Sequence, residues 1–357
     1  MYEKDGEKYF VVDSHMHYWD ASPENWVEGR ENLAKGWIDC FYGYHQLGPP
    51  QTLWSWEKYC KYSADDLMRD VFEEGHVDKA IFQSTYLKYW YKTGFNTAER
   101  NAQLAEKYPE KFILNGRWDP REGEAGLRQL EEDARRYNLK GVKLYTAEWF
   151  GDSRGYKLSD PQAYRFLEKS QELGIKNIHV HKGPTIWPLD KDAFDVADVD
   201  HAATDFPGLN FIVEHVGLPR IEDFCFMAVQ EPNVYAGLAV AIGGLMHARP
   251  KFFAKVMGEL LFWVGEDKMT FGSDYAIWEP QWQVEGFVDW QMPDDEAFAD
   301  YPRLTTAAKK KILGLNAAKL YDIEVPAECR LPSAADEAER PGERLVEDAA
   351  GNAGAQP

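Results

Sequence analysis

An alternation constrains this chain more than any other feature. Eight short runs rich in β-branched and aromatic residues recur along its 357 residues, separated by stretches of helical periodicity. They are YFVVDSH (9–15), KAIFQS (79–84), KFILNGR (111–117), GVKLY (141–145), IKNIHVH (175–181), LNFIVEH (209–215), NVYAGLA (233–239) and KMTFGSD (268–274). Strands joined by helices pair in parallel, because a crossover helix returns the chain to the same end of the sheet. Eight such units predict one (β/α)8 TIM barrel over residues 1–325, a fold that takes about 250 residues and accepts insertions.

The helical stretches carry start and stop signals. Ser63 precedes ADDLMRDVFEEG with Gly75 after it, and Asp160-Pro161 opens PQAYRFLEKSQELG with Gly174 behind it. The stretch 247–265 is too apolar for an exposed helix and is expected to pack on the barrel. Three connections, 18–62, 182–192 and 275–303, are longer than a barrel needs and hold Trp19, Trp37, Trp54, Trp187 and Trp278 among other tryptophans. All three leave C-terminal strand ends, the face where barrel enzymes build their sites, so an aromatic rim is expected there. Residues 326–357 are acidic, rich in Ala, Glu, Gly and Pro, and free of aromatics, which predicts a disordered tail.

Charge and cysteine usage narrow the setting. A formal charge of −20 opposes binding to nucleic acid or an anionic membrane. No window is apolar enough to span a bilayer. The opening MYEKDGEKYF lacks the pattern of a signal peptide, and Cys40, Cys60, Cys225 and Cys329 lack zinc-type or paired spacing, so a reducing cytoplasm is the expected location. The expected partner is a small-molecule substrate.

Histidines and one late aspartate gather at the predicted strand ends. His15 and His17 in VVDSHMHYWD sit two apart, and in a strand such residues share a face. By itself the pair fits either a metal site or two polar residues at a strand end. His181 and His215 end the fifth and sixth runs and Asp274 ends the eighth. His15, His17, His181 and Asp274 together supply three nitrogens and a carboxylate at one barrel mouth, a set suited to zinc or another divalent transition metal. His179 lies one layer deeper, where a buried, hydrogen-bonded role is expected. His45, His76, His201 and His247 fall in loops or helices and read as structural or surface residues.

These residues resemble the amidohydrolase superfamily, within it the group that includes aminocarboxymuconate-semialdehyde decarboxylase and the pyrone-dicarboxylate lactonases. The likeness spans 9–323 and is carried by VVDSHMHYWD, GVKL, HVHKG, EHVGLPR, FGSDYAIWEP and ILGLNAAKLYDI. It implies His15, His17, His181 and Asp274 as ligands of one divalent metal, zinc first and manganese or iron as alternatives. It also implies Asp274 as the proton-transfer group, His215 facing the attacking water, and Asp13 as a supporting residue. In two-metal members the lysine matching Lys143 is carbamylated; the GVKL form resembles single-metal relatives. Some lactonases of the group use no metal. Dimers are common there, so a homodimer is expected. The stretch HVHKGPTIWPLDKDAFDVADVDHAATDFP is also similar to proteins encoded beside bacterial propane-type diiron monooxygenases, which implies a setting in alkane oxidation.

Three functions stay open. The first is hydrolysis of an ester, lactone or amide of a small apolar or ring-containing substrate, which the intact HxH followed by an aromatic pair favours. The second is non-oxidative decarboxylation of a small acid, and the third is an accessory role to an alkane monooxygenase. Arg117, Lys182 and Arg220 are the expected anchors for an acidic group, with Trp19 and Trp187 as substrate-binding aromatics and Gln83, Ser84 and Tyr86 as further pocket residues.

Overall fold

The structure is a computed structural model and describes residues 1–332. Eight parallel strands form one sheet in sequential order. They are β1 (Val12–Met16), β2 (Lys79–Phe82), β3 (Phe112–Gly116), β4 (Gly141–Leu144), β5 (Asn177–His181), β6 (Asn210–Glu214), β7 (Val234–Gly237) and β8 (Met269–Thr270). Seven lie within predicted runs, and β1 extends one residue past the first, to Met16. The sheet closes on itself: Ser14 N–H donates to the Phe271 carbonyl at 2.9 Å, Asp274 N–H to that of His15 at 2.9 Å, and His17 N–H to that of Tyr275 at 2.6 Å. This is the (β/α)8 barrel.

Strand composition follows from burial on both faces. Val12, Ile81, Phe82, Val142, Leu144, Ile178, Val180, Phe211, Ile212 and Val213 are all fully buried. Such strands read as near-continuous apolar runs, because helices cover the outside and side chains fill the inside.

The predicted helix starts hold. Ser63 makes a capping box at Ala64–Met68, its hydroxyl accepting from Asp66 N–H while the Asp66 carboxylate accepts from Ser63 N–H. The stretch Pro161–Glu172 is a helix with proline in its first turn. Three features differ from expectation. The residues before β1 form a small hairpin of Tyr2–Lys4 with Glu7–Tyr9, which takes Tyr9 from the first run. The apolar helix Pro250–Trp263 buries Phe253, Val256, Met257 and Leu260 but leaves Phe262 and Trp263 exposed. Residues 326–332 belong to the fold, since Cys329 is buried with Phe10, Val12, Ile81 and Tyr321. The remainder of the expected tail, 333–357, lies outside the described residues. Among the described residues no helix is long and apolar enough to cross a membrane.

The first long connection is ordered by a helix, α1 (Glu31–His45), which buries Ala34, Trp37, Ile38 and Phe41. It lays an aromatic layer over the C-terminal mouth of the barrel. Trp37 and Phe41 pack at 4.7 Å between ring centroids, and Phe41 reaches Phe95 at 6.0 Å.

Candidate active site

His15 lies in β1 and His17 one residue beyond it, both buried. Their Nε2 atoms are 3.1 Å apart. Asp274 Oδ1 stands 3.6 Å from His15 Nε2 and 3.2 Å from His17 Nε2. Asp274 reaches them because β8 is only two residues long and the chain then turns through a left-handed Asp274, φ 57°. A non-glycine residue held there is uncommon and is maintained by its surroundings. Asp13 supplies part of that hold. Its carboxylate accepts from Ser273 N–H at 2.9 Å, the Ser273 hydroxyl at 2.5 Å and His15 N–H at 3.1 Å, tying β1 to the segment before Asp274. Burial pushes the Asp13 carboxyl up to about 7, against these hydrogen bonds.

The second nitrogens define the first ones. His15 Nδ1 lies 2.8 Å from Glu214 Oε2, and His17 Nδ1 lies 2.8 Å from the Gln83 carbonyl. The Gln83 carbonyl can only accept, so His17 Nδ1 carries the proton and its Nε2 is left as a lone pair, whereas His15 Nδ1 and Glu214 Oε2 are close without the alignment of a hydrogen bond. Burial keeps His15 neutral, pushing its pKa down to about 3. Burial would also raise Asp274, but His15, His17 and His215 hold it well below the usual carboxylate range. Two imidazole Nε2 atoms and a carboxylate oxygen thus converge, away from water. Three such atoms packed together out of water are held by a shared proton or by a cation, and their spacing tells which they suit. Ligands held at 2.0–2.1 Å around a tetrahedral ion stand about 3.3 to 3.4 Å from one another. The observed separations of 3.1, 3.2 and 3.6 Å span that value. The three residues fit a divalent metal.

His215 follows β6 in a left-handed turn, φ 67°. Its Nδ1 lies 3.2 Å from the Ala239 carbonyl and 3.9 Å from Asp274 Oδ2, and its Nε2 lies 3.1 Å from His181 Nδ1. One nitrogen each of His15 and His215 and an oxygen of Asp274 fall within 4.8 Å of one another. With the His215 proton on Nδ1, His181 Nδ1 donates to His215 and His181 Nε2 accepts from the Tyr145 hydroxyl at 3.3 Å. Burial pushes the pKa of both rings down. His15, His17 and Asp274 therefore form the tight group, His215 joins it through Asp274, and His181 contacts His215 and stacks on Tyr145 at 4.3 Å.

Glu214 works from beneath. Its Oε1 is 2.5 Å from His179 Nδ1 while Oε2 faces His15, so one carboxylate orients two rings. Burial would raise Glu214, yet the His15 ring, the Lys143 charge and the His179 contact hold it well below the usual range. His179 Nε2 also meets the Tyr321 hydroxyl at 2.7 Å, the hydrogen-bonded role expected of it. Close packing leaves glycine next to this group: a Cβ on Gly237 would meet Glu214 Oε2 at 2.3 Å, and one on Gly272 would meet His15 Cβ at 2.5 Å.

These residues floor a narrow cavity of about 30 Å³, walled by Trp37, Phe41, Phe95, Tyr145, Ile186 and Val240. That is room for about one or two water-sized groups. A larger substrate needs the aromatic layer to move.

The expected substrate contacts lie elsewhere. Arg117 is 3.0 Å from Glu122 and lines a separate polar cleft. Lys182 turns away from its neighbour His181 to meet Asp198 at 2.7 Å and the Ala193 carbonyl at 3.1 Å. Arg220 is exposed and pairs with Asp195 at 2.8 Å. Trp19 is a core residue, its Nε1 donating to the Tyr59 carbonyl at 2.7 Å. Trp187 is 53% exposed and lies on Gly36. Gln83, Ser84 and Tyr86 are likewise spent on Ser14, Asn115 and Glu99. The cavity instead takes Thr85 from that segment. Glu214 and Tyr145 were not foreseen. A buried glutamate directly before a strand-end histidine was the available signal for the first.

Solved structures share this architecture. An uncharacterized TIM-barrel protein from Bordetella bronchiseptica aligns at 18% identity over 88% of this chain and 98% of its own, with a TM-score of 0.63. An amidohydrolase from Burkholderia multivorans with bound zinc aligns at 15% identity over 88% and 100%, TM-score 0.59. A 2,6-dihydroxybenzoate decarboxylase from Rhizobium aligns at 14% identity over 88% and 99%, TM-score 0.56. At such identities the likeness establishes the fold alone. No curated protein matches the chain in sequence. None of these comparisons supports the expected link to alkane oxidation. The family model described as amidohydrolase matches residues 12–323, from the first strand of the barrel to the helix after the last, and this chain belongs to that family.

Proposed function

We propose that this chain is a metal-dependent hydrolase acting on an ester, lactone or amide bond of a small substrate. His15, His17 and Asp274 hold one divalent ion in this reading, with His181 as the fourth ligand. The carrying observation is the convergence of two buried histidine Nε2 atoms and a carboxylate oxygen within 3.1 to 3.6 Å, the spacing of ligands around one ion. Zinc suits a donor set of nitrogens and one carboxylate. When bound, such an ion supplies Lewis acidity, polarising a carbonyl and bringing the pKa of water towards about 7.

The chain's own groups do the rest. Asp274, held ionised, accepts a proton from the attacking water and returns it to the leaving group. Its Oδ2 faces His215, whose Nδ1 is 3.9 Å away and whose proton on that nitrogen steadies the carboxylate between the two transfers. Trp37, Phe41 and Phe95 keep bulk water from the reacting bond, which strengthens every polar contact inside.

The same apolar walls favour a second reading, loss of carbon dioxide from a small carboxylic acid. Burying a carboxylate costs more than burying the neutral gas that leaves it. A panel of lactones, esters, amides and aromatic acids, assayed before and after chelation, separates the two. Chelator-sensitive hydrolysis without bicarbonate formation is the expected result. Bicarbonate from an acid would transfer the assignment to the second reading, and absence of any chelator-sensitive turnover would contradict both.

A further inference from the structure

Lys143 projects from β4 among the residues that line the cavity, and no other lysine or arginine is among them. It is 1% exposed, and its Nζ has no hydrogen-bond partner and no carboxylate within ion-pair distance among the described residues. A buried ammonium without a partner is costly, and native structures keep one chiefly where a ligand completes it. Trp37, a second residue of the cavity wall, also carries a buried donor without a partner, its indole Nε1. Two unmet donors among the residues of one cavity suit a ligand that accepts.

Cavity size narrows the ligand further. The cavity of about 30 Å³ is sized for a head group rather than for a whole organic molecule.

We propose that Lys143 binds the anionic head of the substrate, which makes the substrate a small carboxylate. The proposal rests on the hydrolytic reading of this cavity and adds to it a specificity residue that acts whether or not an ion is bound. Lysine suits the role as a point charge on a flexible stem, and charge-assisted hydrogen bonds to a carboxylate are the strong ones.

The test compares acetate with its neutral isostere acetamide by ligand-observed NMR titration of the full chain, metal content being measured on the same samples. Wild-type protein is expected to bind acetate at least about tenfold more tightly than acetamide. Lys143→Met is expected to lose that preference by about 10- to 100-fold while keeping its acetamide affinity and its metal. After chelation the preference persists in wild-type protein and is absent in the variant. Unchanged acetate binding by Lys143→Met overturns the proposal, as does a carbamate on Lys143 in carbon-13 spectra of protein grown with labelled bicarbonate. Should the variant not fold, the chelated wild-type protein decides alone, equal binding of acetate and acetamide being the contrary result. Absence of metal with the preference intact would instead overturn the metal-site reading.

Discussion

Asp274→Asn is expected to lower turnover by about 10²- to 10⁴-fold, the usual contribution of a positioned proton-transfer group. Asparagine keeps the shape of the side chain, and the backbone N–H that donates to the His15 carbonyl is untouched, so the barrel closure survives. What disappears is the negative charge between His15, His17 and His215, together with the carboxylate that takes the proton in the proposed reaction. The loss falls on kcat, because the residue acts on the reacting bond, and circular dichroism should match the wild type. Turnover within about threefold of wild type would remove Asp274 from the proton-transfer role.

Trp19→Ala carries the largest expected cost in stability, about 3 to 5 kcal/mol. The indole is 1% exposed, stacks on Phe95 at 5.3 Å, meets Tyr59 at 5.2 Å and Tyr62 at 5.6 Å edge-on, and donates to the Tyr59 carbonyl. Alanine would leave a cavity and an unsatisfied buried carbonyl at the base of the aromatic layer. Urea denaturation measures the loss. A loss below about 1 kcal/mol joined to a raised KM would return Trp19 to the substrate-binding role that its position after His17 suggests.

The barrel was legible because strands buried on both faces must be apolar throughout, and such runs stand out between amphipathic helices. Boundaries were less so: β8 retains two paired residues, since the chain beyond it leaves the ladder to bring Asp274 inward. The metal group was legible for a related reason. His15, His17 and Asp274 sit at strand ends, where position along the chain translates into position at the barrel mouth. The anchors were misplaced because position does not give direction. Lys182 directly follows a site histidine yet points to Asp198, and Arg117 ends a strand yet turns to Glu122. Glu214 escaped notice because alternation lets only one of two successive residues face the barrel, whereas the left-handed turn at His215 brings both Glu214 and His215 to the site. Lys143 was visible as a strand residue, but its lack of a partner is a property of everything around it.

The central claim is that His15 and His17 present lone pairs to a divalent ion. Elemental analysis of the purified chain beside the His15→Ala, His17→Ala double variant tests it most directly. About one equivalent of a divalent transition metal in the wild-type protein and none in the variant is the predicted result. Equal metal in both, or none in wild-type protein purified without chelator, would contradict it.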